Sequence, residues 1–188
     1  MPNDSQLLLD YGRGGDLKSF AALVSAHSTW LLAFLRGLLP SEADAEDAAQ
    51  ETWLRVIRAC GSYRGGSVRA YLARAARTVV IDRYRRSGVP TVSLEGNGDE
   101  DECPAAELAD DAPTPDARFE TRATAEEIRR EVRRLPARQR EVFLLRVEGE
   151  LTFEEIAAQL EIPLGTALTW MRRATGRLRQ ALKRMENA

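Results

Sequence analysis

The sequence predicts an all-α protein made of two small helical domains joined by a flexible acidic linker. Apolar residues recur at helical spacing from about residue 16 to 86, and again from about 124 to 185. Capping residues stand where those stretches begin. The block between them has no periodicity and too few apolar residues to bury. The domains are expected at 1–87 and 118–188, with the linker at 88–117. No strand-like alternation competes with this reading.

The elements follow in order. From Asp16, the residues Phe20, Leu23, Val24, His27, Leu31, Phe34, Leu35 and Leu38 mark one helical stripe up to Pro40. Ser41 can cap a second helix running to about Cys60, with Ala45, Ala48, Ala49, Thr52, Val56 and Ala59 facing inward. Gly61 ends it, and "SYRGGS" makes a short loop. Ser67 can cap a third helix, "VRAYLARAARTVVIDRYRR", whose stripe Val68, Leu72, Ala75 and Val79 turns inward. Residues 88–117 carry four prolines and three glycines, which suits a linker.

Thr124 and Glu127 then form a capping-box pattern ahead of Ile128, Val132 and Leu135, and Pro136 stops that helix. "ARQREVFLLRVEG" predicts a further amphipathic helix closed by Gly149. Thr152 and Glu155 repeat the capping box before Ile156, Ala157 and Leu160. The last helix is expected from about Leu164 to Met185.

Composition narrows the function. No apolar run reads as long enough to span a bilayer, and "MPNDSQLLLDYGRGGD" lacks the regions of a signal peptide. A cytoplasmic protein without membrane insertion is expected. Cys60, Cys103 and His27 are too few for a disulfide scaffold or a Cys/His zinc site. With no glycine-rich phosphate loop and no nucleophile triad, we expect no catalytic residue, metal, cofactor or small-molecule substrate. His27 lies within an apolar stripe and is expected in the core.

The formal charge of −2 conceals a segregation. Residues 87–117 hold nine acidic and no basic residues, so the rest of the chain carries 27 basic against 20 acidic. All but Lys18 and Lys183 of those bases are arginine, whose planar fork suits phosphate and guanine.

Three constellations bear on function. The first, at 152–174, is a short helix, a three-residue turn and a second helix, the arrangement that lets one helix enter a DNA groove while the other braces it. Spacing alone leaves this level with an ordinary helical hairpin. In the second, Arg74, Arg77 and Arg85 share a helix face with Thr78, and Tyr71 lies at its edge. Arginine with aromatics suits unpaired nucleic acid, and a solvated surface is the plainer alternative. The third is "SEADAEDAAQETWLRVIR", where Asp44, Asp47, Glu51, Arg55 and Arg58 form one polar face. An acidic protein-docking surface or a simple solvated face fits it better than metal binding or acid–base work.

Together these motifs resemble the extracytoplasmic-function sigma factors, small two-domain specificity subunits of bacterial RNA polymerase. "DAEDAAQETWLRVIR" resembles that family's region 2.2, "YLARAARTVVIDRYRR" its regions 2.3–2.4, and "LPARQREVFLLRVEGELTFEEIAAQLEIPLGTALTWMRRA" its region 4. The resemblance implies a non-catalytic role in transcription initiation. Contact with the clamp helices of core RNA polymerase would fall on Asp44, Asp47, Gln50 and Glu51. Reading of the −10 element as the duplex opens would fall on Tyr63, Arg64, Ser67, Tyr71, Arg74, Arg77 and Thr78. Reading of the −35 element in the major groove would fall on Thr166, Leu168, Thr169, Trp170, Arg172 and Arg173. An anti-sigma factor is a further partner that the family brings.

Several positions depart from the family pattern. Ala73 stands where an aromatic is usual, and Thr78 where asparagine is. The "YRGGSVR" loop is about one residue short. Glu161 takes a turn position usually held by glycine, and "GTALTW" replaces "GTVKSR" with the loss of two basic contacts. On the recognition helix, Ala167, Met171, Ala174, Leu178 and Met185 are expected inward, Thr166, Thr169, Arg172 and Arg173 outward, and Leu168 and Trp170 on the flanks. Two other readings stay open: a degenerate sigma-like interaction module, and a helix-turn-helix regulator acting without polymerase.

Overall fold

The structure is a computed structural model that describes residues 3–87 and 125–186. The expected acidic linker and the Thr124 cap lie outside the described residues. Within them the chain forms eight α-helices and one 3-10 turn, with no strand. In order, α1 is Asp4–Gly14, α2 Leu17–Leu38, α3 Glu42–Ala59 and α4 Val68–Ser87, with the 3-10 turn Cys60–Ser62 after α3. Then come α5 Ala125–Arg134, α6 Ala137–Val147, α7 Phe153–Leu160 and α8 Leu164–Glu186.

The capping signals act as read. Asp16 accepts from the Lys18 and Ser19 amides at the start of α2, Ser41 from the Asp44 amide, and Ser67 from the Ala70 amide. Thr152 and Glu155 form a complete capping box on α7, each side chain taking up an amide that the helix leaves unpaired. α1 was not foreseen. Asn3 caps its start and Gly15, at φ +68°, ends it. Its consecutive leucines hide a helical period, yet Leu8 is buried against the first core.

Leu23, Trp30, Leu31, Phe34 and Leu35 of α2 make the centre of the first domain. α2 is long and apolar enough to cross a bilayer by length and composition, contrary to the sequence expectation. Those apolar residues are instead covered by α1, α3 and α4. Ala59, expected inward, is exposed, because α3 gives way there to the 3-10 turn. On α4, Ala73, Ala76 and Val80 are buried along with Val68, Leu72 and Val79, while Ala75 is half-buried. The inward face is therefore wider than one stripe. α6 ends at Val147, and the left-handed residue after it is Glu150 (φ 52°), not Gly149. Gly149 is required for another reason: a Cβ there would come 2.7 Å from the Leu145 carbonyl oxygen.

The second domain packs α8 along α6 and α7, with Ala167, Ala174, Leu178 and Leu182 buried. Leu182 takes the inward place expected of Met185, which is half-buried. The two domains also touch, α2 against α5 and α6, and α4 against α7. At Gly37 of α2 an added Cβ would lie 2.6 Å from both Leu144 methyl groups, so the Leu144 side chain would have to shift to admit one.

Candidate nucleic-acid interface

Three surfaces hold the residues singled out by the sequence. On α3, Asp47 and Gln50 are exposed, whereas Asp44 and Glu51 are half-buried. The latter two belong to a charge network with α4. Arg55 pairs with Glu51 and Asp82, each at 2.8 Å, and Arg83 reaches Glu51 at 3.6 Å and Asp44 at 3.9 Å. Arg86 adds a third arginine 3.6 Å from Glu51. The network holds the carboxylates of Asp44 and Glu51 along one edge, with Asp47 and Gln50 standing beyond it.

The second surface combines the 63–67 loop with α4. Gly65 and Gly66 have φ values of 102° and 106°, which the turn of the loop requires. Tyr63 is not an open stacking platform: it is 6% exposed. Its hydroxyl donates to the Gly66 carbonyl (2.7 Å) and lies 3.0 Å from Ser5 Oγ of α1. Its ring meets Tyr71 edge-on at 5.2 Å. Tyr63 thus fixes the loop and backs Tyr71, whose half-buried phenol is held above its usual pKa chiefly by burial. Arg64 is exposed and donates to the Gly61 carbonyl at 2.7 Å. Ser67 caps α4. Arg74 and Thr78 are exposed, with the Thr78 hydroxyl donating to the Arg74 carbonyl.

Arg77 shares this side of α4 but is engaged: its Nε donates to Glu141 Oε1 of α6 at 2.7 Å. Arg69, missed by the sequence reading, lies over the Trp30 ring at 5.7 Å and pairs with Glu150 at 2.9 Å. Its place just after the Ser67 cap, outside the Arg74–Arg77 spacing, gave no signal of that role.

The third surface is α8. The α7–α8 turn passes through Glu161 in the left-handed region (φ 56°, ψ 44°), and the Ile162 amide donates back to the Ala157 carbonyl. The turn exists with glutamate where glycine would be unstrained. Arg172 is exposed, while Thr166, Leu168, Thr169 and Arg173 are half-buried. Trp170 is half-buried as well and packs against the core, so part of its ring belongs to the fold. Thr169 donates its hydroxyl to the Gly165 carbonyl.

An acidic edge, a basic aromatic-backed helix and a helix-turn-helix thus lie on one chain. Comparison with known proteins places them in a common frame. Residues 23–89 match the family model described as Sigma-70 region 2, and residues 125–178 the one described as Sigma-70, region 4. Among curated proteins, the ferric citrate uptake sigma factor FecI of Escherichia coli K12 is 29% identical over 83% of this chain and 86% of its own. The ECF RNA polymerase sigma factor SigE of Mycolicibacterium smegmatis is 30% identical over 88% of this chain and 62% of its own. SigW of Bacillus subtilis, another ECF RNA polymerase sigma factor, is 27% identical over 90% and 91%. Two solved structures share the fold. CnrH, in complex with the cytosolic domain of CnrY, has a TM-score of 0.67 and 21% identity over 96% of this chain and 98% of its own. The sigma factor RpoE of Bartonella quintana, in complex with the anti-sigma factor NepR, has a TM-score of 0.66 and 22% identity over 89% and 98%.

Proposed function

The chain belongs to the extracytoplasmic-function family of sigma factors, and from that premise we propose how its surfaces divide the work of directing promoter-specific initiation by core RNA polymerase. The observation that carries the function is the presence of region 2 and region 4, in that order, on one chain. The protein works in the cytoplasm as a binding subunit, with no reaction of its own. The functional units are residues 1–87 and 118–188, joined by the acidic linker 88–117.

Asp44, Asp47, Gln50 and Glu51 are the polymerase-docking set. Asp47 and Gln50 are exposed enough to meet a basic partner directly. Asp44 and Glu51 are pre-positioned by Arg83 and Arg55, which lowers the ordering cost of binding. Arg74, Arg77 and Thr78 contact the opened −10 strand. Tyr71 offers it a ring edge, and Arg64 and Ser67 line the adjoining loop. Tyr63 acts as the support of that loop rather than as a stacking ring, as its burial argues.

α8 docks in the −35 major groove through Thr166, Leu168, Thr169, Trp170, Arg172 and Arg173. Arg172 and Arg173 serve phosphates, and Leu168 suits a thymine methyl. An anti-sigma factor is the further partner class, as both solved relatives are seen with a bound protein. The test is purification of core polymerase with the chain, followed by binding to labelled promoter fragments. Specific retention of a subset of genomic fragments is the expected result. Association with core but no fragment selectivity would favour the interaction module, a reading that the loss of basic residues in "GTALTW" supports.

A further inference from the structure

We propose that a cleft between α1 and the 60–64 segment is a second nucleotide site, in which Arg13 and Arg64 take phosphates of single-stranded DNA and Leu9 seats the base between them. The cleft takes the nucleotide next to those on the 63–67 loop and α4. The proposal therefore rests on the reading of that surface as the −10 site.

The cleft measures about 360 Å³, toward the lower end of the ~300–1,000 Å³ usual for small-ligand sites. Its walls come from a close approach of α1 to the 3-10 turn. At Gly12 an added Cβ would lie 3.1 Å from the Cys60 carbonyl oxygen, so the helix sits directly on the turn. Nearer the start of α1, the Ser5 and Tyr63 hydroxyls meet at 3.0 Å. Gly61 leaves the cleft open: it lines the wall, and a Cβ there would meet no atom within 4 Å. α1 precedes residues 23–89, which match region 2, so this wall is added to that module from outside it.

The lining selects the ligand. It includes two arginines and no carboxylate, and a concave wall of one sign gathers the opposite charge. Arg13 is exposed in the last turn of α1 and forms no ion pair among the described residues. Arg64 donates through Nη1 alone, to the Gly61 carbonyl at 2.7 Å and the Tyr63 carbonyl at 3.3 Å. That fixes its fork and leaves Nε and Nη2 for a phosphate. Half-buried Leu9 and the Cys60 sulfur give the base an apolar floor. Tyr63 borders the cleft and meets Tyr71 of α4 edge-on at 5.2 Å, so the two sites adjoin. One arginine on each wall suits a run of phosphates, which a strand supplies and a free nucleotide does not.

The test uses the full chain with core polymerase on a pre-opened fragment that the complex retains. 4-Thiothymidine is placed at successive positions of the non-template strand, irradiated, and each crosslink located by peptide mapping. One position is expected to crosslink within residues 9–13, beside positions that crosslink to α4. Gly61→Leu should fill the cleft and abolish the α1 crosslink, with the α4 crosslinks and the melting temperature unchanged. Arg13→Ala reads the same site without touching the turn. It should weaken binding roughly fivefold, the upper end for one exposed charge contact, and flatten the salt slope by about 0.7 log–log units.

Crosslinks to α4 with none to α1, an α1 crosslink that survives Gly61→Leu, or a salt slope unmoved by Arg13→Ala would overturn the cleft and leave the −10 reading standing. Labelling of α1 by free 4-thiothymidine monophosphate but not by the strand would overturn it in favour of a free nucleotide. Absence of crosslinks to α4 and α1 alike would overturn the −10 reading and the cleft together.

Discussion

Glu161 holds the turn between α7 and α8 at φ 56°, where a Cβ crowds its own backbone. Glu161→Gly should stabilise the protein by about 0.5–1 kcal/mol, since relief of the left-handed strain exceeds glycine's added freedom when unfolded. A rise in the denaturant midpoint checks this, and a fall would show that the glutamate side chain holds the turn. His27 makes a different prediction. Trp30 Nε1 donates to its Nδ1 at 2.9 Å, and its Nε2 lies 3.1 Å from Asp4, so the imidazole is stored neutral. Burial, with help from Arg69, lowers its pKa below the ordinary 6.5 despite Asp4. The unfolded chain therefore binds a proton first as pH falls. Stability is complete above about pH 6.5 and declines below it, by at most about 1.4 kcal/mol per pH unit, until the lowered pKa is passed. His27→Gln should flatten that decline in denaturation curves taken across the range. His27 was legible as a core residue because its neighbours at helical spacing are apolar. Tyr63 was not, since its partners Ser5 and Gly66 come from a helix and a loop that no period reveals.

At the scale of elements, α3 and α8 make separable contributions. Asp47 is exposed on α3, so Asp47→Lys should leave the melting temperature unchanged and weaken association with core polymerase by roughly tenfold or more, most strongly at low salt. Titration of labelled core at two ionic strengths checks both parts. On α8, Trp170 is partly committed to the core, so replacing it mixes folding with recognition. Leu168→Lys is the cleaner change. It should steepen the salt dependence of −35 binding by about one log–log unit and shift sequence preference. An unchanged slope would mean that this side of α8 does not face DNA. The helices themselves were readable where a cap precedes a 3.6-residue period, as in α3, α4 and α7. α1 escaped because its leucines are adjacent and its caps, Asn3 and Gly15, flank only eleven residues.

At the scale of the molecule, local pattern says least. Two all-α domains followed from periodicity, and the family from three motifs in order. The packing of one domain on the other did not. Glu141 sits in "ARQREVFLL" as if on a wet face, and the arginine that covers it lies 64 residues away in sequence. Gly37 likewise reads as a flaw in a helix until Leu144 is seen against it. Long-range burial of this kind leaves no local signature, which is why nothing in the sequence sets the engaged Arg77 apart from the exposed Arg74. The central claim concerns the whole chain and its polymerase. The most direct measurement maps transcript 5′ ends made by core polymerase on fragmented genomic DNA, with and without the protein. The account predicts a discrete set of start sites that appears only when the protein is present and weakens with Arg74→Ala. Copurification with core and an unaltered map of 5′ ends would contradict it.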